Sequence, residues 1–252
     1  LAVVLIAPLM GILGTMAVNN KMAFFSDALG HSAFTGIALG VLLGIENELI
    51  SLIAFGVFIA LLITKVKNKG NTSSDTVISV FSSASIAVGL LVLSYGGSFT
   101  KYSAYLVGDI LSVTKSELLC LLITLVAVVV IWCLIYNKLL IISVNKELAA
   151  SRGIKTALYE NIFVIVVAVV VMLSIKWVGI LLINSLLILP AAASRNITKN
   201  SRQYLSGSVV ISLAGGVSGL IASFYFDTSA GATIVSVLAV IFFITYIISK
   251  KK

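Results

Sequence analysis

The sequence predicts an all-α polytopic membrane protein with eight or nine transmembrane helices. Hydrophobic residues make up 60% of the 252 residues and charged residues only 10%, whereas soluble domains average about 25% charged residues. Apolar runs of about 18–20 residues, each long enough to cross a bilayer as a helix, recur along the whole chain. Despite the net charge of +8, Lys and Arg lie in the gaps between these runs. That distribution is typical of membrane topology and not of a nucleic-acid-binding surface.

Nine apolar segments account for most of the chain, and gaps of polar and helix-breaking residues separate them. They lie at residues 2–18, 25–44, 48–64, 76–95, 117–136, 159–175, 177–194, 205–225 and 231–249. We find no internal repeat with a period of about 20–50 residues and no separate soluble region. We therefore expect residues 1–252 to form a single transmembrane domain.

The basic residues orient the segments. With the C-terminus in the cytoplasm, 14 of the 17 Lys and Arg residues fall on the cytoplasmic side, as the positive-inside rule requires. These are Lys21, Lys65, Lys67, Lys69, Lys138, Lys146, Arg152, Lys155, Arg195, Lys199, Arg202, Lys250, Lys251 and Lys252, whereas Lys101, Lys115 and Lys176 lie outside. We therefore expect residues 65–75, 137–158 and 195–204 to be cytoplasmic and the N-terminus to be extracytoplasmic.

Cysteine content and the start of the chain add two expectations. Cys120 and Cys133 lie in one apolar run, so we expect small buried hydrophobic residues and not a disulfide framework. The chain begins with Leu1 inside an apolar run and has neither the basic region nor the cleavage site of a signal peptide. We expect further residues to precede Leu1.

Two gaps are too long for simple turns. Residues 96–116 contain SAYLVGDILS, which could form a short helix at the membrane interface. Residues 137–158 contain SVNKELAASRGIK, in which Asn145 could cap a short helix that ends at Ser151 and is closed by Gly153. Such a helix could dock a soluble partner, although a solvated connector explains the segment equally well.

The stretch FFSDALGHSAFTG, residues 24–36, carries the main candidate site. It contains Asp27 and His31, and His31 is the only histidine in the chain. Four residues on a helix advance by about 400°, so the two side chains share a face one turn apart. Ionisable groups in a membrane span usually mark a site or pathway, and a carboxylate with an imidazole suits Zn²⁺, Mn²⁺ or Fe²⁺. The alternative is that Ser26 or Asp27 caps the helix and His31 bonds a neighbouring carbonyl.

The same segment has a second face. Phe34, Thr35 and Ala38 continue the face of Asp27 and His31. A stripe of three glycines, spaced four residues apart, lies on the opposite side and predicts close helix packing; it consists of Gly36, Gly40 and Gly44. We expect this segment to pack through its glycines and to offer its acid and its histidine on the other face.

The other polar residues have simpler interpretations. Asp109 and Asp227 lie in outer gaps, where turn or capping roles are expected, and Pro190 should kink its helix. Asn184 and Ser185 in the same run should bond between helices. The sequence contains none of the motifs HExxH, GxSxG and CxxC, and no P-loop. We therefore predict that the chain is not an enzyme and that any ATP hydrolysis occurs in a separate subunit.

Five stretches together resemble the metal-type ABC transporter permeases, the membrane subunits of bacterial zinc, manganese and iron importers. They are MAFFSDALGHSAFTGIALG, YLVGDILSVTKSEL, SVNKELAASRGIK, VGILLINSLLILPAAASR and FYFDTSAGATIV, in the order of that family. The resemblance extends over nearly the whole chain from about residue 15 and implies an ABC importer permease fold in a bacterial plasma (inner) membrane.

The resemblance also implies partners and site residues. It implies a homodimer that binds two copies of an ATP-binding ABC subunit and receives metal from an extracytoplasmic metal-binding protein, with no permanently bound cofactor. Asp27 and His31 match the DxxxH pair of the transmembrane metal site. The cytoplasmic coupling helix matches VNKELAASRG, so the residues expected to contact the ATPase are Asn145, Glu147, Arg152 and Gly153.

The identity of the metal is less sharply defined. Some zinc-type members carry a second histidine where this chain has Ser83, yet VGILLINSLLILPAAASR is more similar to the zinc-type members than to the manganese-type ones. We favour zinc, with manganese and iron as alternatives.

Two other functional classes fit the sequence less well. A stand-alone secondary metal transporter would be expected to show inverted repeats and more intramembrane acids, and the sequence has neither. A membrane enzyme would need more than one histidine and a catalytic signature. A pull-down distinguishes the first two classes, because only a permease should retain an ATPase subunit.

Overall fold

A computed structural model describes residues 1–45, 47–70, 72–95, 105, 108 and 112–249, and this part of the chain is helical with no strand. Its ten helices are α1 (Ala2–Asn19), α2 (Phe25–Leu42), α3 (Glu48–Lys69), α4 (Ser74–Tyr95), α5 (Lys115–Val144), α6 (Lys146–Ser151), α7 (Thr156–Val178), α8 (Ile180–Ile197), α9 (Ser201–Phe226) and α10 (Ala230–Ser249).

The nine long helices among them coincide with the nine predicted apolar segments. Seven of these helices are long and apolar enough to cross a membrane. The other two are α2, whose first turns carry Asp27 and His31, and α8, which contributes a shorter apolar stretch, Leu182–Ile197. The predicted all-α membrane architecture is confirmed. The proposed interfacial helix around Asp109 lies outside the described residues.

Helix α5 differs most from its prediction. It begins at a capping box in which Thr114 and Glu117 satisfy each other's backbone N–H groups, and it runs for 30 residues to Val144 instead of ending near residue 136. At about 1.5 Å per residue it is roughly 45 Å long, whereas the hydrocarbon core of a bilayer is about 30 Å thick. The helix is therefore longer than the hydrocarbon core is thick, and α6 follows directly on its end.

Helices α1 and α7 form the centre, and α5 and α10 lie at the periphery. In the most apolar part of α1 and of α7, 67% of the residues are buried, against 22% in α5 and 17% in α10. Helix α5 buries one stripe, which consists of Leu121, Val128, Trp132, Ile135, Leu139 and Ile142. Cys120 and Cys133 lie off this stripe and are exposed free thiols, so the prediction that they are buried is wrong.

Small residues allow α1 and α9 to pack closely in antiparallel orientation. The hydroxyl of Ser208 donates to the Gly11 carbonyl at 2.7 Å, and that of Ser212 donates to the Ala7 carbonyl at 2.7 Å. At the other end of α9, Asp227 adopts a left-handed conformation and caps the helix, as its predicted capping role requires. Helix α8 continues through Pro190 to Ile197, and the kink expected there stays a prediction.

Helix α2 packs between α3 and α4. A Cβ at Gly36 would touch Leu52 and Phe55 of α3, and one at Gly40 would overlap Ser51. The predicted packing role of the glycines is therefore confirmed for these two positions. It is wrong for Gly44, which lies beyond the helix end with a φ of +67° and open space around it.

Candidate metal centre

The first turn of α2 is fixed by a hydrogen bond to α8. No side chain caps α2 at its start, so the alternative in which Ser26 or Asp27 serves as a cap is wrong. Instead, the fully buried Ser26 hydroxyl donates to Asn184 Oδ1 at 2.6 Å. One turn later, Gly30 lies against Ile180 and Ile183. Ser26 contacts Asn184, and the later residue Gly30 contacts the earlier residue Ile180. The two helices therefore pack antiparallel, each through its first two turns.

Asp27 and His31 are brought together as the spacing predicts. His31 Nε2 lies 3.5 Å from Asp27 Oδ2, which is longer than a normal hydrogen bond. The other ring nitrogen, Nδ1, is buried without a hydrogen-bond partner. The alternative in which His31 bonds a neighbouring carbonyl therefore finds no support among the described contacts. Among the described contacts, neither ring nitrogen has a backbone partner, and Nε2 points towards the Asp27 carboxylate.

The separation of these two atoms suits a shared metal ion. Two ligands with bonds of about 2.0–2.1 Å at the tetrahedral angle lie about 3.3–3.4 Å apart, close to the observed 3.5 Å between His31 Nε2 and Asp27 Oδ2. Within the described residues, however, no group of three or more His, Cys, Asp or Glu side chains could hold a metal. One chain therefore supplies two ligands of a tetrahedral site that normally has three or four from protein.

The side chains of Asp27 and His31 are accessible at the surface of the chain. The accessible part of this face of α2 is short. The side chain of His31 is 22% exposed and that of Asp27 is 39% exposed, and Phe24 next to them is exposed. Phe34, Thr35 and Ala38, which were expected to continue this open face, are buried. Thr35 lies against α4, where its hydroxyl donates to the Ser85 carbonyl. The accessible face is thus restricted to the first two turns of α2.

Ser26 and Asn184 position the site, a role that local patterns did not predict. The predicted interhelical bond of Asn184 is confirmed, but its partner was not identified and Ser26 was expected only as a cap. The two residues are 158 positions apart, so no local pattern could pair them, although a polar Asn-Ser step within an apolar run was a signal for an interhelical contact. Ser83, which the sequence analysis considered in weighing zinc against the other metals, is exposed on α4.

The second predicted functional segment forms a separate short helix, α6. Asn145 caps it by accepting the Leu148 N–H at 2.9 Å, and Gly153 ends it with a φ of +76°, both as predicted. Ala149 is buried, whereas Glu147, Leu148 and Arg152 are exposed. The segment therefore presents one apolar and two charged side chains on a surface that the rest of the described chain leaves open.

Comparison with known proteins agrees with this architecture. Residues 1–249 match the ABC 3 transport family. The chain is 30% identical over 231 residues to the high-affinity zinc uptake system membrane protein ZnuB of Haemophilus influenzae, covering 91% of this chain and 88% of that protein. It is 28% identical over 249 residues to the manganese import system permease protein ScaB of Streptococcus gordonii, covering 99% and 89%.

A solved structure gives the same result. A chain of PsaBC from Streptococcus pneumoniae in complex with Fab superposes with a TM-score of 0.84 at 26% identity, over 97% of this chain and 88% of that one. The predicted permease fold is confirmed over nearly the whole sequence. With a family match over residues 1–249, this chain belongs to the ABC 3 transport family.

Proposed function

We propose that the chain is the membrane permease subunit of an ATP-driven importer for a divalent transition metal. The observation that carries this proposal is the Asp27–His31 pair, which sets a carboxylate oxygen and an imidazole nitrogen 3.5 Å apart at an open face of a membrane protein. Residues 1–252 act as one transmembrane domain in a bacterial plasma membrane. The chain itself is not an enzyme, and ATP is hydrolysed by a separate ATP-binding subunit.

Zinc is the favoured cargo. The separation of the two ligand atoms matches the edge of a tetrahedral site, the geometry that Zn²⁺ adopts with nitrogen and oxygen ligands. Relatives named for zinc uptake and for manganese import both match this chain, so manganese is the first alternative and iron the second. In each case the metal is transported and is not a resident cofactor.

A second copy of the chain completes the site. One chain offers two ligands, and a two-fold axis presents the same two residues again. Two carboxylates and two imidazoles would then surround one ion. The partial exposure of Asp27 and His31 supports this arrangement, because it leaves them accessible to a partner, whereas Gly36 and Gly40 on the opposite face pack inside the chain.

The helix contacts support a location of this site within the membrane. On the proposed topology, α2 starts from the cytoplasmic side and α8 from the extracytoplasmic side. Ser26 in the first turn of α2 nevertheless bonds Asn184 near the start of α8. On this topology, helix starts that enter from opposite sides meet between the two membrane surfaces, which supports a position of Asp27 inside the membrane. An extracytoplasmic metal-binding protein would deliver the ion from the outer side.

The α6 segment is the proposed docking surface for the ATPase. Asn145 and Gly153 fix its two ends, and Glu147 and Arg152 face outwards as contact residues. A Glu147→Lys variant should reduce metal import while the protein still folds, and Asp75→Lys serves as a matched control because Asp75 is also an exposed acid at the start of a helix. Normal import by the Glu147 variant would argue against docking at α6.

Metal import by cells or proteoliposomes that contain the complete transporter tests the central proposal. Asp27→Ala and His31→Ala should each abolish import and metal binding without preventing assembly with the ATPase, whereas Asp75→Ala, on an exposed acid of α4, should leave import unchanged. Import at the wild-type rate by either of the first two variants would refute the assigned site.

Cross-linking tests the shared site separately. Phe24 is exposed beside the pair, and Phe224 is exposed on α9. A cysteine at position 24 should form a disulfide between two copies, and a cysteine at position 224 should not. Efficient cross-linking at 224 with none at 24 would place the two-fold axis elsewhere.

A further inference from the structure

A compact polar cluster joins the start of α6 to the ends of two long helices. Glu160 Oε2, on the second turn of α7, accepts hydrogen bonds from Lys146 Nζ at 2.7 Å and from Asn68 Nδ2 at 2.9 Å. Lys146 Nζ also donates to Asn68 Oδ1 at 3.1 Å. The three side chains therefore form a closed triangle between α6, α7 and the last turn of α3.

The triangle joins the three helices through two hydrogen bonds to one carboxylate. The side chain of Glu160 is only 14% exposed, whereas that of Lys146 is 43% exposed. The bonds of Glu160 to Lys146 and Asn68 are charge-assisted, which makes them stronger than neutral hydrogen bonds. Helix α6 has six residues and is too short to be stable alone. Its first residue, Lys146, is one of the points at which it is anchored, so a force on α6 reaches Glu160 and Asn68 directly.

The connection continues from α3 to the turn that precedes the metal site. Lys67 directly precedes Asn68 in the last turns of α3. Lys67 Nζ is 3.6 Å from the sulfur of Met22 in the turn between α1 and α2.

That turn sets the start of α2. Met22 is 2% exposed, and its carbonyl accepts the N–H of Phe25, the first residue of α2, at 3.1 Å. Asp27 follows two residues later. Lys21 in the same turn has a φ of 54°, in the left-handed region that a non-glycine residue rarely adopts, so this short turn has little freedom to absorb a displacement.

We propose that Glu160 is a positioning residue that transmits movement of α6 to the first turn of α2, and so links the state of the ATPase to the geometry of Asp27 and His31. The route runs from Lys146 through Glu160 and Asn68 to the last turn of α3, and then from Lys67 to Met22. This inference rests on the proposed docking of the ATPase at α6.

The decisive measurement is the amount of metal imported per ATP hydrolysed by the complete transporter in proteoliposomes. Glu160→Gln keeps the size and hydrogen-bonding capacity of the side chain but removes its charge. It should lower this ratio by at least about fivefold, the lower end of typical coupling between sites, while ATP hydrolysis continues. Lys67→Met should have the same effect, and Asp75→Asn, on an exposed acid outside the cluster, should have none.

Exchange of the two charges distinguishes loss of the ion pair from simple misfolding. The double variant Lys146→Glu with Glu160→Lys reverses the ion pair, and the amide of Asn68 can donate or accept and so can serve either orientation. The double variant should recover most of the import ratio that Glu160→Lys alone loses. Failure of the exchange to restore the ratio, with both proteins folded, would overturn the relay.

Cross-linking distinguishes failure of this inference from failure of the proposed docking of the ATPase at α6. A cysteine at Ser151 on α6 should cross-link to the ATPase in both the wild-type and the Glu160→Gln backgrounds. A cross-link with an unchanged import ratio in Glu160→Gln would overturn the relay and leave the docking proposal intact, whereas no cross-link in either background would refute docking itself. Loss of cross-linking, hydrolysis and import together in Glu160→Gln would show a purely structural anchor and would also overturn the relay.

Discussion

The contact between α2 and α4 gives a sharp stability prediction at Gly89. A Cβ at this position would lie 2.7 Å from the backbone nitrogen of Thr35 and 2.9 Å from the carbonyl carbon of Phe34. Both atoms belong to the backbone of α2, so neither can rotate away. The substitution Gly89→Ala therefore forces α4 and α2 apart at the point where Thr35 donates to the carbonyl of Ser85.

Two effects of opposite sign determine how much Gly89→Ala changes the free energy of unfolding. Alanine in place of glycine stabilises a helix interior by about 1 kcal/mol. Overpacking of a well-packed contact costs about 1–3 kcal/mol, and the backbone atoms place this site at the upper end. An opening of about 0.5–1 Å also forfeits a quarter to a half of the local dispersion attraction. We expect a net loss of about 2 kcal/mol, which changes the ratio of folded to unfolded protein about 30-fold.

Thermal unfolding of the purified protein in detergent measures this effect, and Gly70→Ala is the matched control. Gly70 follows α3 with a φ of −101°, and the nearest atom to a Cβ there is 3.4 Å away. Alanine at position 70 should therefore be neutral or stabilising by up to about 1 kcal/mol, because it restricts the unfolded chain. A Gly89→Ala protein as stable as the Gly70→Ala protein would refute the packing argument.

Three further outcomes follow from individual contacts. Asn145→Ala should destabilise α6 by about 1 kcal/mol through loss of its cap, visible as faster hydrogen exchange in that segment, whereas Asn145→Ser should preserve it. Lys176→Met should shift the unfolding midpoint very little. The Lys176 side chain, which forms a 2.5 Å ion pair with Glu117, is 46% exposed, and exposed pairs contribute less than about 1 kcal/mol. A shift as large as that of Gly89→Ala would contradict this reasoning. Cysteines that replace Lys146 and Thr228 should be labelled from the cytoplasm and from outside respectively, and the reverse result would invert the proposed topology.

Local patterns predicted those features that neighbouring residues determine. The four-residue spacing of Asp27 and His31 placed them together because a helix brings such residues onto one face. Asn145 and Gly153 marked the ends of α6 correctly, since capping and left-handed backbone are properties of single residues. Apolar run length located all nine long helices described here.

Features that depend on distant contacts were not predictable in this way. Thr35 shares a face with His31, yet α4 covers it through a partner 50 residues away. Cys133 lies in an apolar run, but α5 is peripheral and exposes most of its surface, so an apolar residue there faces outwards. Asn137 and Lys138 indicated a connector, whereas the helix α5 continues through them to Val144.

The incompleteness of the metal pair within one chain is consistent with transport. A site that binds its cargo tightly in every state cannot release it, and two ligands from a single chain hold a metal ion more weakly than a full tetrahedral set. If the full set forms only when two copies of Asp27 and His31 converge, a small separation of the copies removes half of the ligands without unfolding either chain. On the proposed two-fold arrangement, the buried bond between Ser26 and Asn184 at 2.6 Å would keep the first turn of α2 attached to α8 during such a movement. The proposed ligands would then change partners as rigid units, and the affinity of the site would follow the relative position of the two copies.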